Sequence, residues 1–322
     1  MKPELERDMD PALTDHQAEA AEQHAEHPAP QVPPHSDAGP GYYDLPVVKA
    51  PPWKWYIAAY FYSGGLAGAS AVLHGAVKLA NEKQLGALGT KLRVMALAGE
   101  VIGAGFLISD LGRPERFHHM MRVVRPTSPM NVGTWILSTA GATSALELVR
   151  HVLGKGPDRM NVLTAVNMAA GGALTAYTGV LVGNTAVPVW KTTRDVLPPM
   201  FAAASGASAA SMLELIGASS RREVSLVRRF SIATKLAAVA TTELATHVAG
   251  PGIVGAPLRS RMWTAARVLN VASLVATIVP GRTVARIAGI LGTAAGLAQR
   301  FAILAAGRES AAEPRATLTP DL

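Results

Sequence analysis

Apolar stretches alternate with short polar segments along most of this chain after residue 52. Each stretch holds about 18 to 25 residues, long enough for a helix to cross the ~30 Å hydrocarbon layer of a membrane. The pattern predicts an all-α fold, a polytopic bundle of about eight transmembrane helices. The predicted spans are 55–78, 92–110, 132–152, 162–184, 198–217, 230–249, 262–280 and 283–305. Eight spans put both termini on one side, called face A here; the opposite side is face B.

Composition agrees with a lipid environment and divides the chain into three parts. Only 16% of the 322 residues are charged and the mean hydropathy is +0.22, whereas soluble domains are about 25% charged. Residues 1–52 are rich in Pro, Ala, Glu and His without apolar periodicity, which predicts a disordered acidic tail. We expect the bundle to occupy 53–306 and a short polar C-terminal tail to occupy 307–322.

The charge is unevenly distributed along the chain. The net charge is +7, but residues 1–52 carry ten acidic and three basic residues, which leaves about +14 for the remainder. Basic loops beside apolar helices are suited to anionic membrane lipid. A nucleic-acid partner would require a soluble domain with a basic face, and the sequence predicts no such domain.

The chain contains no cysteine. This excludes thiolate-bound iron–sulfur clusters and Cys-rich zinc sites from the chain itself, and we expect no metal site. An electron-transfer centre would therefore be haem, a quinone or the property of a partner subunit.

Two sequence blocks follow the ends of predicted spans. The first comprises Ser109–Phe117, with an aspartate, a glycine and an Arg-Pro pair, and Arg125–Trp135, with further prolines and a small-residue turn. The second comprises Tyr177–Leu181 and Thr185–Trp190. Because spans two and four run in the same direction, both blocks are predicted to lie at face A.

These blocks, in this order, resemble the membrane subunit of polysulfide reductase and its NrfD-type relatives. Tyr60–Gly68 in span one is also similar to the first helix of that family. The resemblance implies an integral anchor without haem that exchanges electrons with menaquinone or ubiquinone. It further implies a docked ferredoxin-like iron–sulfur subunit serving a molybdopterin-type catalytic subunit, so that the chain alone would not act on the substrate.

Four arginines lie within thirteen residues after span two. We interpret them as a docking surface for a soluble subunit, with Asp110 pairing to Arg113 to brace the loop. Lipid-headgroup contact is the alternative, but the intervening prolines fix the loop shape and favour docking. The four residues are Arg113, Arg116, Arg122 and Arg125.

Ionisable residues inside the spans are costly and therefore mark candidate chemistry. Glu100 lies near the middle of span two, and Glu243 and His247 lie one turn apart in span six. A quinone-coupled proton route through these residues is one hypothesis. The other is a buried pair that attaches helices, with Glu243 satisfied by Lys235 or His247. Glu147 and Glu214 lie near span ends and are expected to be solvated.

A quinone site needs an apolar slot with a hydrogen-bond donor and a proton source. Because electrons from a docked subunit reach only the near side of the bundle, we expect the pocket at face A. Tyr60 or Tyr177 is predicted to donate to a quinone oxygen, and Asp110 to supply protons from the arginine-rich loop.

Two other classes of protein remain as alternatives. A haem-b cytochrome anchor needs facing axial histidines, but His74 and His247, the two well inside spans, are expected toward opposite faces. A secondary transporter would show repeated halves, and no clear repeat is present. The Lys and Arg residues at the span ends slightly favour face A outside. Against this, the polar first fifty residues predict no signal peptide, so we expect the termini on the cytoplasmic side of a bacterial plasma membrane.

Overall fold

Eight long helices occupy the positions of the predicted spans. The structure, a computed structural model, describes residues 46–80, 85–111, 113, 115, 119, 121–155 and 160–318, and these ranges contain no strand. The long helices are α1 (Trp55–Ala80), α2 (Gly86–Asp110), α3 (Pro129–Val152), α4 (Val162–Gly183), α6 (Leu197–Ile216), α7 (Arg221–Val248), α8 (Arg261–Ile278) and α9 (Arg282–Ala312). The short helices are α5 (Pro188–Thr192), a 3₁₀ turn (Ala256–Arg259) and α10 (Pro314–Leu318).

The prediction of an all-α bundle with membrane spans is confirmed. Within the described ranges, four helices are long and apolar enough to cross a membrane, namely α2, α4, α6 and α9. The count of eight spans therefore stays a prediction. The predicted tail over 1–52 falls largely on residues 1–45, outside the described residues.

Polar contacts at the helix ends identify the two faces of the bundle. At face A, the side chain of Arg308 in α9 donates to the carbonyl of Trp53, just before α1. At face B, Thr90 Oγ1 in α2 lies 3.1 Å from His151 Nε2 in α3, and Arg228 in α7 donates to the carbonyl of Ile278. Both ends of the described chain therefore lie at face A.

The helices pack as two groups that share a boundary. In the first group α1 packs against α2 and α4, and α3 packs against α2 and α4. In the second, α6 packs against α7 and α9, and α8 packs against α7 and α9. Contacts of α1 and α4 with α6 join the groups. Small residues permit the close approach: Gly99 of α2 faces Ser63 and Ala67 of α1, leaving no room for a side chain.

Several helices extend beyond their predicted spans, and α7 and α9 extend farthest. The α7 helix begins nine residues early, at Arg221, because Ser220 caps it: the Ser220 hydroxyl accepts from the Glu223 N–H at 3.1 Å. The α9 helix continues to Ala312, and its buried Ser310 hydroxyl accepts a hydrogen bond from the Val189 N–H at 3.1 Å. The bundle therefore extends past residue 306, into the segment expected to be a polar tail.

Candidate functional site

The two sequence blocks meet at face A through Tyr177. Its hydroxyl in α4 donates to the carbonyl of Pro129, the first residue of α3, at 2.6 Å. The Tyr177 ring lies directly on Gly133, so that a side chain at Gly133 would overlap it. Because Pro129 and Gly133 belong to the first block and Tyr177 to the second, one contact explains why the two blocks occur together.

Tyr60 lies near Tyr177, in the first group of helices. It is 3% exposed and packs with Phe61, Leu137 and Leu174 in one apolar cluster. It is within electrostatic range of Tyr177. In the part of the chain that the structure describes, no hydrogen bond is made by the Tyr60 hydroxyl, whereas the Tyr177 proton is held by Pro129. The structure therefore brings these two predicted residues together. The Tyr177 hydroxyl already donates within the protein, whereas the Tyr60 hydroxyl does not.

Asp110 ends α2 at the same face, and its partner differs from the predicted one. Its Oδ1 accepts from the backbone N–H of Lys54 at 3.2 Å. Arg113 is exposed, and among the described residues it forms no ion pair with Asp110. The expected Asp110–Arg113 pair is therefore wrong, because Asp110 instead joins the end of α2 to the start of α1.

Glu100 is buried inside the first group of helices, ten residues before Asp110. Since a helix rises 1.5 Å per residue, Glu100 lies about 15 Å deeper than Asp110 along α2. Its Oε1 accepts from Ser144 of α3 at 3.2 Å, and Ser144 lies 3.1 Å from Asn167 Oδ1 of α4. The second carboxyl oxygen has no hydrogen-bond partner among the described residues. A buried carboxyl with one oxygen unpaired can exchange a proton or bind water.

Closer to face B, a second carboxyl is buried beside a histidine. Glu147 Oε2 lies 2.8 Å from His74 Nδ1, an ion-pair distance, although the two atoms are not aligned as a hydrogen bond. Glu147 Oε1 accepts from Thr164 of α4. The expectation that Glu147 is solvated is wrong, because α1 and α4 cover this side of α3. Ser144, Glu147 and His151 thus form a polar stripe on α3, spaced three and four residues apart.

The second group of helices contains a corresponding buried ion pair. Lys235 Nζ of α7 lies 2.6 Å from Glu214 Oε2 of α6, and Thr277 of α8 donates to Glu214 Oε1 at 3.0 Å. Glu214, expected to be solvated, is buried. Lys235 therefore pairs across helices with Glu214 and is not the partner of Glu243.

Glu243 and His247 do not form the buried pair that their spacing suggested. Arg267 of α8 binds both carboxyl oxygens of Glu243, with Nε to Oε1 at 2.6 Å. The Glu243 side chain is 45% exposed and His247 is exposed as well. The expected pairing of Glu243 with Lys235 or His247 is wrong, because the neighbouring helix α8 supplies a bidentate arginine at closer range.

The two intraspan histidines lie far apart in the bundle. His74 contacts Glu147 near the face B end of α1, whereas His247 lies in the last turn of α7, at face A. As expected, they belong to opposite faces, and this arrangement does not suit paired axial ligation of a haem.

Sequence reasoning missed Arg300, which is fully buried in α9. Its guanidinium lies 4.1 Å from the centre of the Phe201 ring and donates to the carbonyl of Phe201 at 3.2 Å. Two of its nitrogens have no partner among the described residues. An arginine inside an apolar span was the available signal, but only the structure shows that a ring and a carbonyl take the place of a carboxylate.

Asn131 holds in shape the last part of the arginine-rich loop after α2. Its Oδ1 accepts from the N–H of Arg125 at 2.7 Å, and its Nδ2 donates to the carbonyl of Val123 at 2.8 Å. The side chains of Arg113, Arg122 and Arg125 are exposed. Arg116 lies outside the described residues. Backbone bonds thus fix the loop while leaving the cationic side chains available.

The chain was also compared with known proteins. A family model described as polysulfide reductase, of the NrfD type, matches residues 40–313. The chain belongs to this family. No curated protein matched it in sequence. The match includes both sequence blocks and all eight long helices, so the suspected relationship is confirmed.

Membership of this family, together with the apolar helices, defines the general role of the chain. It is a multi-pass membrane protein and a membrane subunit of an oxidoreductase complex. Tyr60, Tyr177, Asp110 and the arginine-rich loop lie at one end of the bundle, and Glu100 lies beneath them.

The contact between the two sequence blocks can be tested with Gly133→Ala. The added methyl group would displace the Tyr177 ring and weaken its bond to Pro129, so we expect a loss of about 1–3 kcal/mol in stability, as for other overpacked sites. Gly141→Ala in the same helix is the matched control, since nothing lies within 4 Å of its Cβ position. Thermal unfolding in detergent measures both; equal stability of the two variants would contradict the packing described here.

Proposed function

We propose that this subunit exchanges electrons between membrane quinone, either menaquinone or ubiquinone, and a docked ferredoxin-like iron–sulfur subunit. That partner would serve a molybdopterin-type catalytic subunit. The observation that carries the proposal is the position of Tyr60, with an unpaired hydroxyl in apolar surroundings, at the same face as Asp110 and the arginine-rich loop.

The quinone site is proposed at face A because of how electrons would arrive. The chain has no cysteine to ligate an iron–sulfur cluster, so electrons would come from a subunit docked on one face. A quinone head group must then lie near that face. Tyr60 and Tyr177 lie there, between α1, α3 and α4, with Asp110 at the end of α2.

The residues of this site fit a quinone ring. A bound quinone supplies an acceptor for two electrons and two protons, and the ring needs an apolar slot with a hydrogen-bond donor. Tyr60 provides the donor among Phe61, Leu137 and Leu174. Tyr177, whose proton is held by Pro129, would form one wall of the proposed slot. Asp110, half-buried at the helix end, would pass protons inward from the loop.

Tyr60→Phe tests the proposed donor. Loss of one hydrogen bond should weaken the binding of a quinone analogue to the assembled complex about two- to tenfold. Tyr62→Phe is the control, since the Tyr62 ring faces Gly296 of α9 instead. If Tyr60→Phe, Tyr177→Phe and Asp110→Asn all bind the analogue and turn over like the parent, the pocket is elsewhere.

Glu100 is proposed as the inner proton-transfer residue of this site. It is buried, it lies on the same helix as Asp110, and one of its oxygens is unpaired among the described residues. A proton-transfer role for Glu243 and His247 stays a prediction. The bidentate contact of Glu243 with Arg267 favours attachment of α7 to α8 for that carboxylate.

Glu100→Gln should slow quinone turnover by about two orders of magnitude, because an amide cannot carry the proton and general acid–base groups contribute 10²–10⁴-fold. Glu243→Gln in parallel separates the two roles of that residue: turnover near the parent rate is expected if Glu243 only attaches α7 to α8, and slowed turnover if it carries protons. Both should insert and assemble normally, as judged by co-purification of the subunits. Parent-like turnover in Glu100→Gln would remove this residue from the proton route.

The arginine-rich loop is proposed as the docking surface for the iron–sulfur subunit. Asn131 holds its last part, around Val123 and Arg125, and the side chains of Arg113, Arg122 and Arg125 are exposed toward an acidic partner surface. We further propose that face A lies on the cytoplasmic side of a bacterial plasma membrane.

Arg122→Glu combined with Arg125→Glu should release the partner subunit. The two substitutions reverse two surface charges, a net change of four units, while the backbone bonds of the loop are retained. Arg150→Glu with Lys155→Glu makes the same charge change at face B and should leave the complex intact. The measurement is partner stoichiometry after affinity purification. Normal stoichiometry in the face A variant would argue against docking at this loop.

A further inference from the structure

A cavity of about 570 Å³ opens at face B, far from the proposed quinone site. Its walls come from the end of α6, the start of α7, the loop between α8 and α9, and Lys91 of α2. Three of the helices that contribute to it, α2, α6 and α9, are candidate membrane spans. The cavity therefore lies where spanning helices end, at the depth of lipid headgroups.

Four cationic side chains line this cavity: Lys91, Arg228, Arg282 and Arg286. The first two are fixed by the chain, since Lys91 donates to the Gly217 carbonyl at 2.8 Å and Arg228 donates to the Ile278 carbonyl. Arg282 and Arg286 are exposed and make no ion pair among the described residues. Two cations thus shape the cavity, and two are available to bind an anion.

The start of α9 adds to the positive potential of the cavity. Arg282 is the first residue of the helix, and its N-cap, Gly281, provides no side-chain oxygen for the first-turn N–H groups. Unsatisfied N–H groups and the helix dipole favour an anion at this position. The first-turn N–H groups and the helix dipole therefore act on the same side of the cavity as Arg282 and Arg286.

The carboxylate in the cavity wall is already neutralised. Glu214 Oε2 lies 2.6 Å from Lys235 Nζ, and its Oε1 accepts from Thr277 at 3.0 Å. Glu214 is also buried. The lining therefore keeps an excess of positive charge despite this carboxylate.

Apolar side chains at the cavity indicate that its ligand has an apolar part as well as an anionic one. Ile216, Val224 and Val279 line it and are 49%, 52% and 47% exposed. A small soluble anion would leave this apolar surface uncovered, whereas an acyl chain would cover it. We infer that the cavity binds an anionic phospholipid, with its phosphate at Arg282 and Arg286 and an acyl chain along Ile216 and Val279.

The test uses the full-length protein in detergent, with phosphatidylglycerol binding measured by native mass spectrometry. Arg282→Gln combined with Arg286→Gln should weaken binding roughly 25-fold, since each cation near an anionic lipid contributes about fivefold. Arg282→Lys with Arg286→Lys keeps the charge and should retain most of the binding. Arg194→Gln with Arg261→Gln, two exposed cations at the other face, should change nothing.

Three results would overturn the inference. The first is unchanged phosphatidylglycerol affinity in the double glutamine variant. The second is equal affinity of the parent for phosphatidylcholine, which would indicate apolar contact alone. The third is competition by inorganic phosphate at the concentrations at which phosphatidylglycerol binds, which would assign the cavity to a soluble anion.

Discussion

A charged side chain buried in a membrane bundle needs a partner from a neighbouring helix, because lipid cannot supply one. One buried cluster in the second group of helices follows that constraint. Glu214, Lys235 and Thr277 come from three different helices and meet within 3.0 Å. Removing one member of such a pair typically costs about 3–5 kcal/mol. The buried ion pair therefore fixes how α6, α7 and α8 align along their length.

The first group of helices is held by the same kind of contact. Glu147 of α3 contacts His74 of α1 and Thr164 of α4. Each group thus has a buried carboxylate toward face B that contacts two neighbouring helices. With the polar pairs concentrated there, apolar and aromatic packing dominates at face A, where Trp190 stacks on Trp53 at 5.5 Å. The proposed quinone slot lies in this less polar end of the bundle.

The positions of the helices could be predicted from the sequence, because long apolar runs have few alternatives in a membrane. The convergence of the two motif blocks was also predictable, since helix direction alternates. The partners of the ionisable residues were not. The spacing of Glu243 and His247 describes only their own helix, whereas Arg267 approaches from α8. Glu147 and Glu214 appeared accessible near their span ends, but neighbouring helices cover them.

The helix boundaries show a related limit. Hydropathy ends a predicted span at the first charges, but a helix continues while its backbone bonds and caps allow. Ser220 and Glu223 cap α7 ahead of its apolar run, and Glu223 then accepts from the N–H of Leu88 at 2.9 Å. Glu223 thus takes part both in the cap of α7 and in a contact with α2. The capping motif could be recognised from the sequence, whereas the contact with α2 required the fold.

The groups that the bundle leaves unpaired are as informative as its buried pairs. Glu147 and Glu214 are each opposed by a basic side chain, but Glu100 receives only a serine hydroxyl on one oxygen. Likewise Tyr177 is bound to Pro129, whereas Tyr60 beside it has no hydrogen-bond partner among the described residues. Stability alone would favour pairing the second oxygen of Glu100, because an unpaired buried polar atom is costly. The location of Glu100 and Tyr60 on adjacent helices below the arginine-rich loop is therefore the strongest physical reason to assign them to chemistry.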